Sequence, residues 1–157
     1  MKKRILFTVL IVGLTGLSSL KAQFSIGPGV AYGTNIDQIG ILGNVTYNFA
    51  GKWGVMGGYT YFFKKQDLTW SSIDVDATYN FDQVNDKNNL YALAGIDFLS
   101  AKVSYLGYSS TGSNTGLNLG VGWKTKVGQK MYLVPEARYT IINNGYLRLG
   151  VRLIFGL

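Results

Sequence analysis

The chain has 157 residues, of which 47% are hydrophobic and only 15% charged, with no histidine and no cysteine. Such a length holds one domain of ordinary size, and the two missing residue types exclude a disulfide-stapled fold, thiolate metal sites and the commonest general base. The formal net charge of +7 is concentrated at the start: without Lys2, Lys3, Arg4 and Lys21, the fifteen Lys and Arg fall to eleven against eight Asp and Glu, or +3, too little for a nucleic-acid footprint.

Lys2, Lys3 and Arg4 precede an apolar run, Ile5 to Leu20, broken by Gly13, Thr15, Gly16, Ser18 and Ser19 and followed by Lys21, Ala22 and Gln23. A basic start, a short apolar core and a small residue at its end read as a secretory signal cleaved after Ala22. A spanning helix would need ~20 apolar residues. Residues 1–22 are therefore expected to be a signal peptide and 23–157 the mature domain.

Beyond the signal, every apolar pattern has a period of two, the strand period. In chain order the apolar faces are Phe24 to Tyr32, Ile41 to Phe49, Trp53 to Phe63, Ile73 to Phe81, Leu90 to Phe98, Leu117 to Trp123, Met131 to Tyr139 and Leu147 to Phe155, each taken at alternate residues. Strands of about 9–11 residues suit a tilted transmembrane strand.

The opposite faces carry every mid-strand charge: Asp74, Asp76, Asp97, Lys124, Glu136, Arg138, Arg148 and Arg152. A soluble barrel would turn its charged face to water, but 15% charge is below the ~25% of a soluble domain. The apolar face is therefore predicted to meet lipid and the charged face a lumen. Aromatics on the apolar face gather at two levels, Phe49, Trp53, Phe81, Trp123 and Phe155 at one rim and Tyr32, Tyr61, Phe63, Phe98 and Tyr139 at the other, as interfacial girdles do. Unpaired strand edges cannot sit in hydrocarbon, so the strands must close. The fold class expected is all-β: an eight-stranded antiparallel up-and-down transmembrane β-barrel.

In this pattern the chain resembles the small eight-stranded outer-membrane barrels, the OmpX and OmpA-type transmembrane domains and the short "outer membrane protein beta-barrel" group. The most specific stretch is Arg148, Gly150, Leu153 and Phe155 near the end, which matches the family's assembly signal of polar residue, glycine and two hydrophobic positions ending in an aromatic. The resemblance implies an integral outer-membrane location among lipid and lipopolysaccharide, and passage through periplasmic chaperones and the barrel-assembly machinery. A monomer with no cofactor and no nucleic-acid partner is expected.

An even number of strands puts both termini on the periplasmic side. The segments 50–52, 82–89 and 126–130 are then inner turns, and 34–40, 64–69, 99–116 and 143–145 outward loops. Part of the third is expected to extend strands five and six above the membrane, since Ala101, Val103 and Tyr105 keep alternating in the opposite phase, as after a bulge. For the last hairpin, a three-residue loop with Gly145 left-handed sets Glu136 opposite Arg152, Arg138 opposite Gly150 and Arg148 opposite Thr140. A two-residue loop would place charges of one face opposite the other face.

Asp74 and Asp76, with Asp97 near, could form a cation site or an acid/base pair. The reading preferred is that four lumen acids neutralise four lumen bases, since buried unpaired charge is costly. Eight strands leave room for little but side chains, and Gly27, Gly29, Gly54, Gly58, Gly95, Gly120, Gly122 and Gly150 face inward beside Phe62, Tyr91 and Tyr132, which suggests interdigitation. No catalytic, metal or cofactor residue is expected. The expected role is envelope stabilisation or surface interaction through the outward loops, with a narrow solute channel and a ligand site in the upper lumen as alternatives.

Overall fold

Alternation at period two is followed all the way round the barrel, and each strand lies in the phase that its apolar residues require. The computed structural model describes residues 23–49, 52–85, 87–105, 108–143 and 145–157, so the expected signal peptide lies outside the described residues. The strands are β1 (Gln23–Gly33), β2 (Gln38–Asn48), β3 (Trp53–Lys65), β4 (Leu68–Asn85), β5 (Asn88–Tyr105), β6 (Tyr108–Lys126), β7 (Met131–Ile141) and β8 (Tyr146–Gly156). Each pairs antiparallel with its sequence neighbour, and β8 returns to β1 to close the barrel. Closure satisfies the backbone of every strand across the hydrocarbon region.

The outward face is the apolar one. Val30, Ile41, Val45, Ile73, Val75, Leu119 and Val121 are exposed, a surface that only lipid would cover. At the terminus-bearing rim the girdle aromatics touch one another: Trp53 lies 4.9 Å from Tyr79, Tyr79 5.4 Å from Phe81, and Phe24 4.8 Å from Tyr47.

Three expectations about connections are corrected. First, β4, β5 and β6 have 18, 18 and 19 residues, against 11 in β1, β2, β7 and β8. The expected extension of strands five and six thus takes in nearly all of 99–116, and the supposed turn 82–89 is largely strand. Hydrophobic contrast marks a strand only where it crosses lipid, so polar continuations look like loops. The β3–β4 connection is likewise a two-residue turn, Gln66 and Asp67, with φ of 48° and 62°, the left-handed pair that suits a tight hairpin.

Second, no bulge accompanies the phase change at Ala101. The β5–β6 register is unbroken from Asn88↔Thr125 to Tyr105↔Tyr108. Above the lipid level both faces meet water, so polarity no longer reports which way a residue points. Irregularities occur instead between Phe62 and Lys65 and between Asn80 and Asn85.

Third, β8 is displaced by two residues from the expected register. Thr140 pairs with Tyr146, Arg138 with Arg148, Glu136 with Gly150 and Val134 with Arg152. Gly145 is not left-handed. A two-residue slide keeps every side chain on its face, so alternation cannot tell the two registers apart.

Inside, side chains form successive layers. Toward the outer end Ala31, Phe62, Leu99 and Tyr146 cluster, with Ile36, Leu42, Trp70 and Ile142 against them. Toward the terminus-bearing end Met56, Tyr91, Leu93, Val134 and Ile154 form a second cluster, with Tyr132 beside it. Glycines make room for the large residues: a Cβ on Gly122 would stand 2.3 Å from the Tyr91 ring. The expected interdigitation is therefore present.

Candidate functional site

Between the two apolar layers lies a polar one, supplied by inward positions of β3 to β8. Asp74, Asp76, Asp97, Arg138, Arg148 and Arg152 are all buried there. Asp74 and Asp76 are alternate residues of β4, Asp97 pairs with Asp74 across the β4–β5 ladder, and the arginines come from β7 and β8 on the facing wall.

Asp74 is the hub. Both its oxygens accept from Arg148 Nη2, at 2.9 and 2.8 Å, and Arg138 Nη1 lies 3.1 Å from Oδ1. The same Arg138 Nη1 lies 2.8 Å from Asp76 Oδ2, and its Nη2 donates to Glu136 at 3.1 Å. Arg152 Nη2 pairs with Glu136 and also meets the Tyr91 hydroxyl, while its Nη1 lies 2.9 Å from Met56 Sδ. Arg152 and Glu136 are thus in contact although not directly opposed, because the long arginine reaches diagonally along the ladder.

Asp97 is held differently. It accepts hydrogen bonds from the Tyr146 hydroxyl at 2.9 Å and Thr140 at 3.2 Å, and from Ser72. Asn118 ties the layer together, donating to Asp74 and Asp76 at 3.2 Å each and accepting from Thr140 at 2.8 Å. Arg148 also donates to Thr60 at 2.9 Å. Sequence reasoning singled out charges and gave these neutral residues no part in holding them; Thr60, Ser72, Asn118 and Thr140 were legible as polar residues in the inward phase.

Lys124 lies apart from the carboxylates. Its Nζ donates to Asn80 Oδ1 at 2.7 Å and sits 4.9 Å from the Tyr91 ring centroid, and it forms no ion pair among the described residues. The acid layer therefore contains three arginines and four acids, not the expected four and four, and the fourth base lies below it. Asp74 and Asp76 share Arg138 as a counter-ion, an arrangement that occupies the oxygens a cation would need. Among the described residues no three or more acids are grouped as metal ligands.

The residues of the expected assembly stretch do not meet at a site. Arg148 points into the lumen, Gly150 lines it opposite Glu136, and Phe155 is exposed on the lipid face where β8 meets β1 at Ile26. Leu153 is partly exposed on that outer face.

The family described as "Outer membrane protein beta-barrel domain" matches residues 8–155. No curated protein matches the sequence. Among solved structures, the N-terminal β-barrel domain of OprF from Pseudomonas aeruginosa superposes with a TM-score of 0.74 at 14% identity, covering 86% of this chain and 97% of that one. Neisserial surface protein A gives 0.68 at 19% identity, with 84% and 96% covered. Ail, the attachment invasion locus protein of Yersinia pestis, gives 0.64 at 21% identity, with 86% and 96% covered. A second structure of Ail, in complex with the heparin analogue sucrose octasulfate, gives 0.62 at 19% identity, with 87% and 99% covered. At these identities the likeness shows the fold.

Proposed function

The chain belongs to the outer membrane protein β-barrel domain family and is an integral outer-membrane barrel, and from that premise we propose that it is a non-catalytic surface-interaction protein, its charge-paired lumen serving stability. The observation that carries this reading is the height of β4, β5 and β6. Pairing of β6 with β7 ends at Leu117↔Ile141, so among the described residues β6 has no strand partner on that side from Tyr108 to Thr115. The segment Tyr-Ser-Ser-Thr-Gly-Ser-Asn-Thr, 108–115, is exposed throughout and offers a row of unsatisfied backbone groups among hydroxyl side chains. Such an edge accepts an extended segment of another molecule by strand addition. The attachment function in the name of Ail is consistent with a surface role on this fold.

The filled lumen favours interaction over conduction: Phe62, Tyr91, Val134 and Tyr146 are among the most deeply buried side chains. Assembly through the periplasmic chaperones and the barrel-assembly machinery, guided by Arg148, Gly150, Leu153 and Phe155, belongs to the same proposal, as does cleavage of 1–22. The test replaces 100–113 by a short Asn-Gly turn and scores attachment of whole cells to immobilised extracellular proteins. Loss of attachment with the barrel still folded supports the role. Unchanged attachment, or regular unitary conductance of the intact barrel in planar bilayers, overturns it.

A further inference from the structure

Below the Tyr91 layer the barrel opens at its terminus-bearing end into a cavity of about 620 Å³, within the size range of small-ligand sites. Its wall includes Lys87, Lys124, Lys126 and Lys130, with the amides of Asn48, Asn80 and Asn89 between them, and no Asp or Glu among the described lining residues. The lysines come from separate connections held side by side: the Lys126 amide donates to the Lys87 carbonyl at 2.8 Å, and the Gly156 amide to the Lys130 carbonyl at 2.8 Å. Lys124 forms the floor, with one donor committed to Asn80 and its ammonium over Tyr91.

We propose that this cavity is a periplasm-facing binding site for a small soluble oxyanion of two or more charges, of the phosphate type, with Lys124 as the inner contact and Lys126 and Lys130 at the mouth. The ammonium of Lys124 is half-enclosed by the barrel wall, so an anion there meets a cation already partly stripped of water and short of a counter-charge. Lysine binds phosphate as a point charge with rotatable donors, and neutral amides supply the remaining hydrogen bonds. The apolar layer above makes the site blind, open only toward the periplasm. This site is independent of the outward sheet and of any surface role.

The test is titration of the folded barrel with inorganic pyrophosphate in maltoside micelles, which carry no phosphate, followed by calorimetry and by Lys Nζ resonances. Saturable binding is expected, weakened at least about tenfold by Lys124→Met, since each factor of ten is one charge-assisted contact in strength. Lys126→Gln with Lys130→Gln, which leaves the floor intact, is expected to weaken it too, and Lys102→Gln at the outer end to leave it unchanged. Absence of saturable binding, or equal affinity in the wild type and both vestibule variants, overturns the site. Displacement of pyrophosphate by phosphatidylglycerol in nanodiscs overturns its assignment to a soluble anion.

Discussion

Arg138 and Arg148 stand directly opposite one another on β7 and β8, two like charges in one buried layer, and both are bound to Asp74. Without that carboxylate their apposition would be repulsive, so Asp74 sets the condition under which the last hairpin can close. Asp74→Asn is expected to destabilise the barrel by about 3–5 kcal/mol, the loss typical when one member of a buried ionic group is removed. Urea unfolding from lipid vesicles measures it. Combining Asp74→Asn with Arg148→Gln is expected to restore part of the loss, and additive costs would show that the two arginines do not strain one another.

Glu136 and Arg152 form the second coupled pair. Glu136→Gln leaves Arg152 with no carboxylate partner, and Arg152→Gln leaves Glu136 with Arg138 alone, whereas the double variant removes both members of the pair. A double-mutant cycle is therefore expected to give a coupling of about 1–3 kcal/mol. The contact is diagonal, because Glu136 faces Gly150 and Arg152 faces Val134.

On the lipid face, Val75 and Val121 are each 51% exposed near the middle of their strands. Val75→Arg or Val121→Arg is expected to cost ~2–4 kcal/mol in bilayers. Ser25→Lys, on the wall of the open vestibule, is expected to cost less. The opposite ranking in vesicle unfolding would invert inside and outside.

Phe155 lies on the lipid face and touches none of the lumen charges, so Phe155→Ala separates assembly from stability. Cells producing it are expected to accumulate unfolded chain in the periplasm, while the purified variant, refolded in detergent, unfolds close to the wild type. Normal membrane yield would place the assembly signal in another strand.

At the outer rim, Asp37 accepts a hydrogen bond from Lys65 and one of 2.6 Å from the Tyr32 hydroxyl. The Lys65 ammonium, then Tyr32, hold its carboxyl below the ordinary value of 3.8. A lowered folded pKa stabilises above the ordinary value and loses that effect as pH falls through the folded one. The side chain is exposed, so the contribution is small. Carbonyl ¹³C titration of Asp37 is expected to give a midpoint below 3.8 that moves up in Lys65→Gln. An unmoved midpoint would remove Lys65 as the cause.

What the sequence determined by itself was direction: which side chains face lipid and which face the lumen, where the aromatic rims lie, and that the strands must close. Those features depend on the two-residue period of the pleat and on the contrast between hydrocarbon and a polar interior, and both act locally. The assignment of Val75 outward and Asp74 inward needed nothing else. Tertiary structure alone decided quantities that the period leaves degenerate. Register along β7 and β8 moves in steps of two without changing a face, so the Arg138–Arg148 apposition was invisible until Tyr146 was seen to enter the lumen and reach Asp97. The full strand length above the membrane was only hinted at by Ala101, Val103 and Tyr105, because both faces of β5 and β6 meet water there and contrast vanishes. Lys124 shares its phase with Arg138 but not its depth, and depth follows from the stagger of neighbouring strands around a closed barrel, which no single strand encodes.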